Sequence, residues 1–146
     1  MNDADAAQKT RTILHGFFRA VESRNLDAIG ACFAPDATYR NVPHPPAEGP
    51  VAIREMFARI VTVSERIIWD VLSEAYEGNR GHVERLDRFW IAGREYAVPC
   101  HCVALLDLTS SRILEFRDYL DIGQWKASLE TVFGAPGLQI TQVENS

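Results

Sequence analysis

Apolar residues recur along the first part of the chain with the spacing of a helix. Ile13, Leu14, Phe17, Phe18 and Val21 fall on one stripe, which predicts an amphipathic helix over residues 4–22. Asn25 stands where an N-cap belongs, ahead of Leu26, Ile29, Ala31 and Phe33. A second, short helix is expected there, ended by Pro35-Asp36. Residues 37–42 fit a short strand, and a proline-rich loop runs from Pro43 to Pro50. Val51, Ile53, Met56, Phe57 and Ile60 then give a third helix over residues 51–63. Beyond Ser64 the period becomes alternating. Residues 66–76, 81–91, 95–108 and 112–120 read as four strands, parted by Glu77-Gly78-Asn79, Ala92-Gly93 and Ser110-Ser111. A last helix is predicted over residues 123–133, stopping at Gly134. Helices, a meander and a closing helix make an α+β domain with a curved sheet covered on one face by helices.

Alternation sorts each strand into two faces. One face of the second meander strand carries Val83, Arg85, Asp87, Phe89 and Ile91; the other carries His82, Glu84, Leu86, Arg88 and Trp90. In the last strand Leu114, Phe116, Asp118 and Leu120 share a face, opposite Ile113, Glu115, Arg117 and Tyr119. In the strand after the second helix Ala37, Tyr39 and Asn41 share one. An arginine, two aspartates, a phenol and an amide are thus aimed at the interior. Charged side chains are almost never buried without partners. The simplest solution places Arg85 between Asp87 and Asp118, because a guanidinium can serve two carboxylates by separate N–H edges. Such a network could serve only to fix strand register. Five polar groups converging on one apolar pocket favour chemistry instead.

Charge narrows that chemistry. Two carboxylates and one guanidinium sum to −1 when all are ionised, so an apolar site favours keeping one proton. A protonated carboxyl facing an ionised one is an acid/base pair. Tyr39 and Asn41 can donate and accept hydrogen bonds, which suits holding a water against the base. No Ser or Cys has a nucleophile setting, and no metal motif such as HExxH occurs. No cofactor or metal is expected. The site reads as built for attack by water on a substrate whose leaving oxygen needs a proton.

The remaining composition limits partners. The chain has 146 residues and a formal net charge of −5, without a Lys/Arg-rich run, so neither nucleic acid nor an anionic membrane is expected as a partner. No apolar stretch approaches the roughly 18 residues a membrane span needs. The opening MNDADAAQKTR is polar, so no leader is expected and the cytoplasm is the expected compartment. Cys32, Cys100 and Cys102 read as core thiols; Cys100 and Cys102 share a face, with His101 opposite. His15 and His82 read as surface positions, and His44 as a solvated loop residue. His101, Val103, Leu105, Leu86 and Trp90 share the outer sheet face, which points to a homodimer through it.

At these polar positions the sequence resembles limonene-1,2-epoxide hydrolases, within the NTF2-like (SnoaL-like) superfamily. Tyr39-Arg40-Asn41 matches that family's Tyr-x-Asn, Arg85-Leu86-Asp87 its Arg-x-Asp, and Asp118 its aspartate near the end of the last strand. The resemblance implies a cone, with a curved mixed or antiparallel sheet and helices on its concave face around a deep pocket. It implies Asp118 as general base, Tyr39 and Asn41 as water holders, Asp87 as general acid and Arg85 as a bridge. It further implies a one-step trans-diol product from a lipophilic, limonene oxide-like epoxide, and a homodimer. Candidate pocket walls are Phe33, Met56, Ile60, Trp69, Phe89, Cys102, Leu106 and Phe116. Rival readings are an epoxide-opening cyclase, a ketosteroid-isomerase-like proton shuttle, and a non-enzymatic binding module. The isomerase would need a carboxylate base where Asn41 stands.

Overall fold

The computed structural model describes residues 1–121 and 123–126. Helix α1 (Asp3–Glu22) starts at Asn2, whose side chain accepts the Asp5 N–H, and Asp3 and Asp5 suit its positive end. Thr10, Leu14, Phe17, Phe18 and Val21 are its buried stripe. Arg24, at φ 58°, turns the chain into α2 (Leu26–Ala31), capped by Asn25 through the Ala28 N–H.

Helix α2 is shorter than its sequence suggested. Phe33 opens β1 (Phe33–Val42) instead, and Pro35-Asp36 lies inside that strand. A register shift between Phe33 and Thr38 accommodates the proline as an irregularity rather than a break. The proline-rich loop holds β2 (Ala47–Glu48), paired antiparallel to β1. Helix α3 (Gly49–Val63) begins two residues early, with Pro50 in its first turn, where a missing N–H costs nothing.

Strands β3 (Arg66–Glu77), β4 (Arg80–Ile91), β5 (Arg94–Asp107) and β6 (Arg112–Leu120) form the expected meander. The sheet order is β2-β1-β6-β5-β4-β3. Strand β1 joins parallel to β6, so the sheet is mixed. Bulges in β3 and at the β5/β6 pairing help bend it. The β5/β6 bulge also corrects one face assignment: Ile113 pairs with Leu106 and is fully buried, rather than sharing the outer face with Glu115. In β4 alternation holds, and Val83, Arg85, Asp87, Phe89 and Ile91 are all buried.

Helix α1 crosses the β3/β4 hairpin. Its Phe17 makes edge contacts with Phe33, Phe57, Trp69 and Phe116, and its Glu22 carboxylate accepts the Trp69 main-chain N–H. These aromatics are the centre of the core. Residues 123–126 are helical; the remainder of the last predicted helix lies outside the described residues. No helix among the described residues is long and apolar enough to cross a membrane.

Candidate active site

Strand register assembles the polar cluster. The β3/β4 pairing sets Trp69 beside Asp87, and the β4/β5 pairing sets Arg85 beside Cys100. On β6, Asp118 lies between Cys102 of β5 and Asn41 of β1. Arg85 is fully buried and reaches across β5 to join the two carboxylates. Its Nε and Nη2 donate to Asp87 Oδ1 and Oδ2, both at 2.9 Å. The same Nη2 donates to Asp118, 3.1 Å from Oδ1 and 3.3 Å from Oδ2. This is the bridge expected from the sequence.

Aromatic rings hold the guanidinium from its remaining sides. Its carbon lies 4.1 Å from the Trp69 ring centre, 5.2 Å from that of Phe18 and 5.8 Å from that of Phe116. Among the described residues Arg85 Nη1 has no hydrogen-bond acceptor, and these ring faces add to the two carboxylates in offsetting its desolvation. Tyr39 is buried, stacks on Phe116 and donates its O–H to Asp118 Oδ2. Asn41 is half-buried; its side-chain nitrogen contacts Met56 Sδ at 3.8 Å. Cys100 Sγ donates to Asp87 Oδ2 at 3.2 Å and lies 3.9 Å from Asp118 Oδ1.

These contacts shift how the buried groups around Arg85 titrate. Burial pushes the Asp118 carboxyl up; Arg85 opposes it, Asp87 adds to it, and the bonds from Tyr39 and Arg85 oppose it. The net direction is upward. Burial, then the Asp118 charge, also pushes the Tyr39 phenol and the Cys100 thiol up, so both stay neutral donors. The Cys102 thiol is pushed up to about 12, chiefly by burial. Burial would lower the Arg85 pKa, but Asp118 and Asp87 outweigh it, so the guanidinium stays charged. One proton on the carboxylate pair makes the cluster neutral.

Residues 14–116 match the SnoaL-like domain family. The chain belongs to that family. The fold of this SnoaL-like domain is shared by solved structures at low identity. A candidate SnoaL-like polyketide cyclase from Shewanella denitrificans OS-217 is 12% identical, with TM-score 0.74, over 84% of this chain and 97% of that one. An LEH-like epoxide hydrolase of M. tuberculosis is 20% identical, with TM-score 0.69, over 88% and 98%. A protein with a ketosteroid isomerase-like fold from Catenulispora acidiphila DSM 44928, in complex with trimethylamine, is 23% identical, with TM-score 0.66, over 87% and 93%. At these identities the likeness concerns the NTF2-like fold.

Of the candidate wall residues in this SnoaL-like domain, four border the cluster. Trp69 and Phe116 face Arg85, Cys102 is opposite Asp118, and Met56 touches Asn41. Phe89 is buried two positions from Asp87 and packs on Trp125. Ile60 is half-buried against the core from α3. Phe33 and Leu106 are buried farther down the sheet, flanking Ile113 from either side. Two histidines differ from their sequence reading. His44 is buried, at 7% exposure, and its N–H donates to the Asn41 carbonyl. His15 is half-buried and pairs with Glu74 of β3 at 2.8 Å.

Sequence reasoning left Cys100 among the core thiols, although the signal was present. Ala92 and Gly93, at φ 52° and 78°, make a two-residue hairpin that pairs Ile91 with Arg94. Counting back along both strands from that turn places Cys100 opposite Arg85.

Proposed function

We propose that this protein is an epoxide hydrolase that adds water to a lipophilic, limonene oxide-like epoxide and yields a vicinal trans-diol in one step. The observation that carries this reading is the single buried guanidinium touching both carboxylates, one of which also takes the Tyr39 hydroxyl. Two carboxyls joined this way can hold one proton between them and exchange roles within a cycle.

In the reactive state Asp118 is ionised and Asp87 protonated. Asp118 takes a proton from water as the water oxygen attacks one epoxide carbon from the face opposite the C–O bond. That bond breaks, and Asp87 gives its proton to the departing oxygen. Inversion at the attacked carbon gives the trans relation in a cyclic substrate. The cycle ends with Asp118 protonated and Asp87 ionised, and Arg85 Nη2, in contact with both, supports return of the proton to Asp87. Asn41 is beside Asp118 in the β1/β6 register and can hold the attacking water, while Tyr39 orients the base. General acid and general base assistance supply about 10²–10⁴-fold each, and ring strain in the epoxide supplies driving force. The apolar neighbours Trp69, Phe116, Cys102 and Met56 suit a lipophilic substrate.

The test is incubation with limonene oxide and a panel of lipophilic epoxides, with chromatographic analysis for diols. Diols without added metal or cofactor are expected. Failure to open any epoxide rejects the reading. A cyclic ether formed from a hydroxy-epoxide, in place of a diol, selects the cyclase alternative. A single turnover in ¹⁸O-water with excess enzyme should put label in the diol; label retained on Asp118 would mean a covalent ester. The proposal includes a homodimer through the outer sheet face, where Leu86, Trp90, Val103 and Leu105 are only half-buried. Sedimentation at the mass of one chain would reject it.

A further inference from the structure

We propose that Cys100 is a positioning residue for the acid step: its S–H bond to Asp87 sets how readily that carboxyl releases its proton. The inference rests on the hydrolase reading above.

Its basis is where the thiol stands. Cys100 is opposite Arg85 on the neighbouring strand and points to the same side of the sheet, at 5% exposure. Its sulfur is 3.2 Å from Asp87 Oδ2 and 3.9 Å from Asp118 Oδ1, so it touches the acid and approaches the base. Among the described residues Asp87 takes its other two hydrogen bonds from Arg85. Among the described residues Cys100 is therefore the one side-chain donor to Asp87 besides Arg85. Among the described residues the titratable and charged groups near Asp87 are Arg85 on its own strand, Cys100 and Cys102 on β5, Asp118 on β6 and Tyr39 on β1. Strand β3 presents Trp69 there, which does not ionise.

Burial and two nearby carboxylates keep this sulfur a thiol, so it is a poor nucleophile toward an epoxide and a constant donor. A donor that binds the ionised form of an acid better than the neutral form makes the acid stronger. Transfer of the Asp87 proton to the epoxide oxygen leaves a carboxylate that the S–H then stabilises. A thiol held only for packing would do none of this, and alanine or serine would substitute for it equally well.

The first arm of the test compares kcat/KM against pH for the wild type, Cys100→Ala and Cys100→Ser on an epoxide the protein opens. Loss of the donor in Cys100→Ala should raise the alkaline limb by roughly 0.5–1 pH unit, about the worth of one weak hydrogen bond. Its plateau should fall severalfold, because the acid is weaker. Cys100→Ser keeps a donor and should restore the limb to the wild-type position or below. Coincident limbs in all three proteins overturn the proposal.

The second arm needs no turnover. The S–H stretching band of Cys100, assigned by its loss in Cys100→Ser, should move toward a weaker bond when Asp87→Asn removes the carboxylate. A band unmoved by that change overturns the proposal whatever the protein hydrolyses. A band that moves in a protein that opens no epoxide rejects the hydrolase reading and the acid role with it, while the bond stands.

Discussion

Arg85 is the residue on which the site depends, and its removal and its neighbours' removal have different consequences. Replacing Asp118 by Asn leaves Arg85 paired with Asp87, a neutral couple with good geometry. Asp118→Asn is therefore expected to fold and to lose at least about 10²-fold in diol formation, the smaller end of what a general base supplies. Activity and circular dichroism measured side by side check this; full activity would remove Asp118 from the mechanism. Replacing Arg85 by Leu leaves two buried carboxyls facing one another with no cation. Breaking a buried pair from one side costs about 3–5 kcal/mol, so Arg85→Leu should lower the urea midpoint substantially. An unchanged midpoint would mean that the carboxyls find protons or water without strain. The five polar positions were legible in the sequence because charge at the centre of an alternating apolar face is conspicuous. Cys100 was passed over because a thiol is ordinary in a core, and its place opposite Arg85 emerges only on counting back from the Ala92-Gly93 turn.

At the scale of elements, legibility followed the strength of the local signal. Helix α1 and strands β3 to β6 came within a few residues because long periodic segments carry their own phase. The α2/β1 boundary did not, since Phe33 fits a helical stripe as well as a strand and Pro35 suggests a break in both. The parallel pairing of β1 to β6 joins residues far apart in the chain, which no local pattern encodes. The bulge that turns Ile113 inward is likewise a property of the pair of strands. One close approach between elements gives a test. A Cβ on Gly81 of β4 would meet Leu14 Cδ1 of α1 at 2.6 Å and the Tyr76 ring at 3.0 Å. Leu14 is fully buried, and the Tyr76 hydroxyl is held by Glu74, so neither moves freely. Gly81→Ala should therefore destabilise the protein by about 1–3 kcal/mol, the usual cost of overpacking. Thermal melts check it, and a neutral result would show that α1 rides over the hairpin with slack.

For the whole molecule the net charge of −5 matters less than how individual groups titrate on folding. Two kinds of carboxyl act in opposite senses. Burial pushes Glu74 up, yet the bonds from His15, Tyr76 and Arg11 outweigh it and hold it below its usual range. Ser110 and two main-chain N–H groups hold Asp107 low. Each contributes stability that is present above its unfolded pKa and lost as pH falls. Asp118 is raised, above all by burial. Its contribution is present in full below the unfolded value of about 3.9 and is lost as pH rises through its higher folded value. Melting the wild type and Asp118→Asn across that range isolates Asp118 together with its coupling to Asp87, because Glu74 and Asp107 are common to both and cancel. The melting temperature of Asp118→Asn relative to wild type is expected to climb with pH until Asp118 is fully ionised, then to level off. A difference that shrinks as pH rises would mean that Arg85 and Tyr39 outweigh burial. Asp118 would then be an ordinary buried ion pair, held for the fold, rather than a carboxyl kept under strain for use as a base.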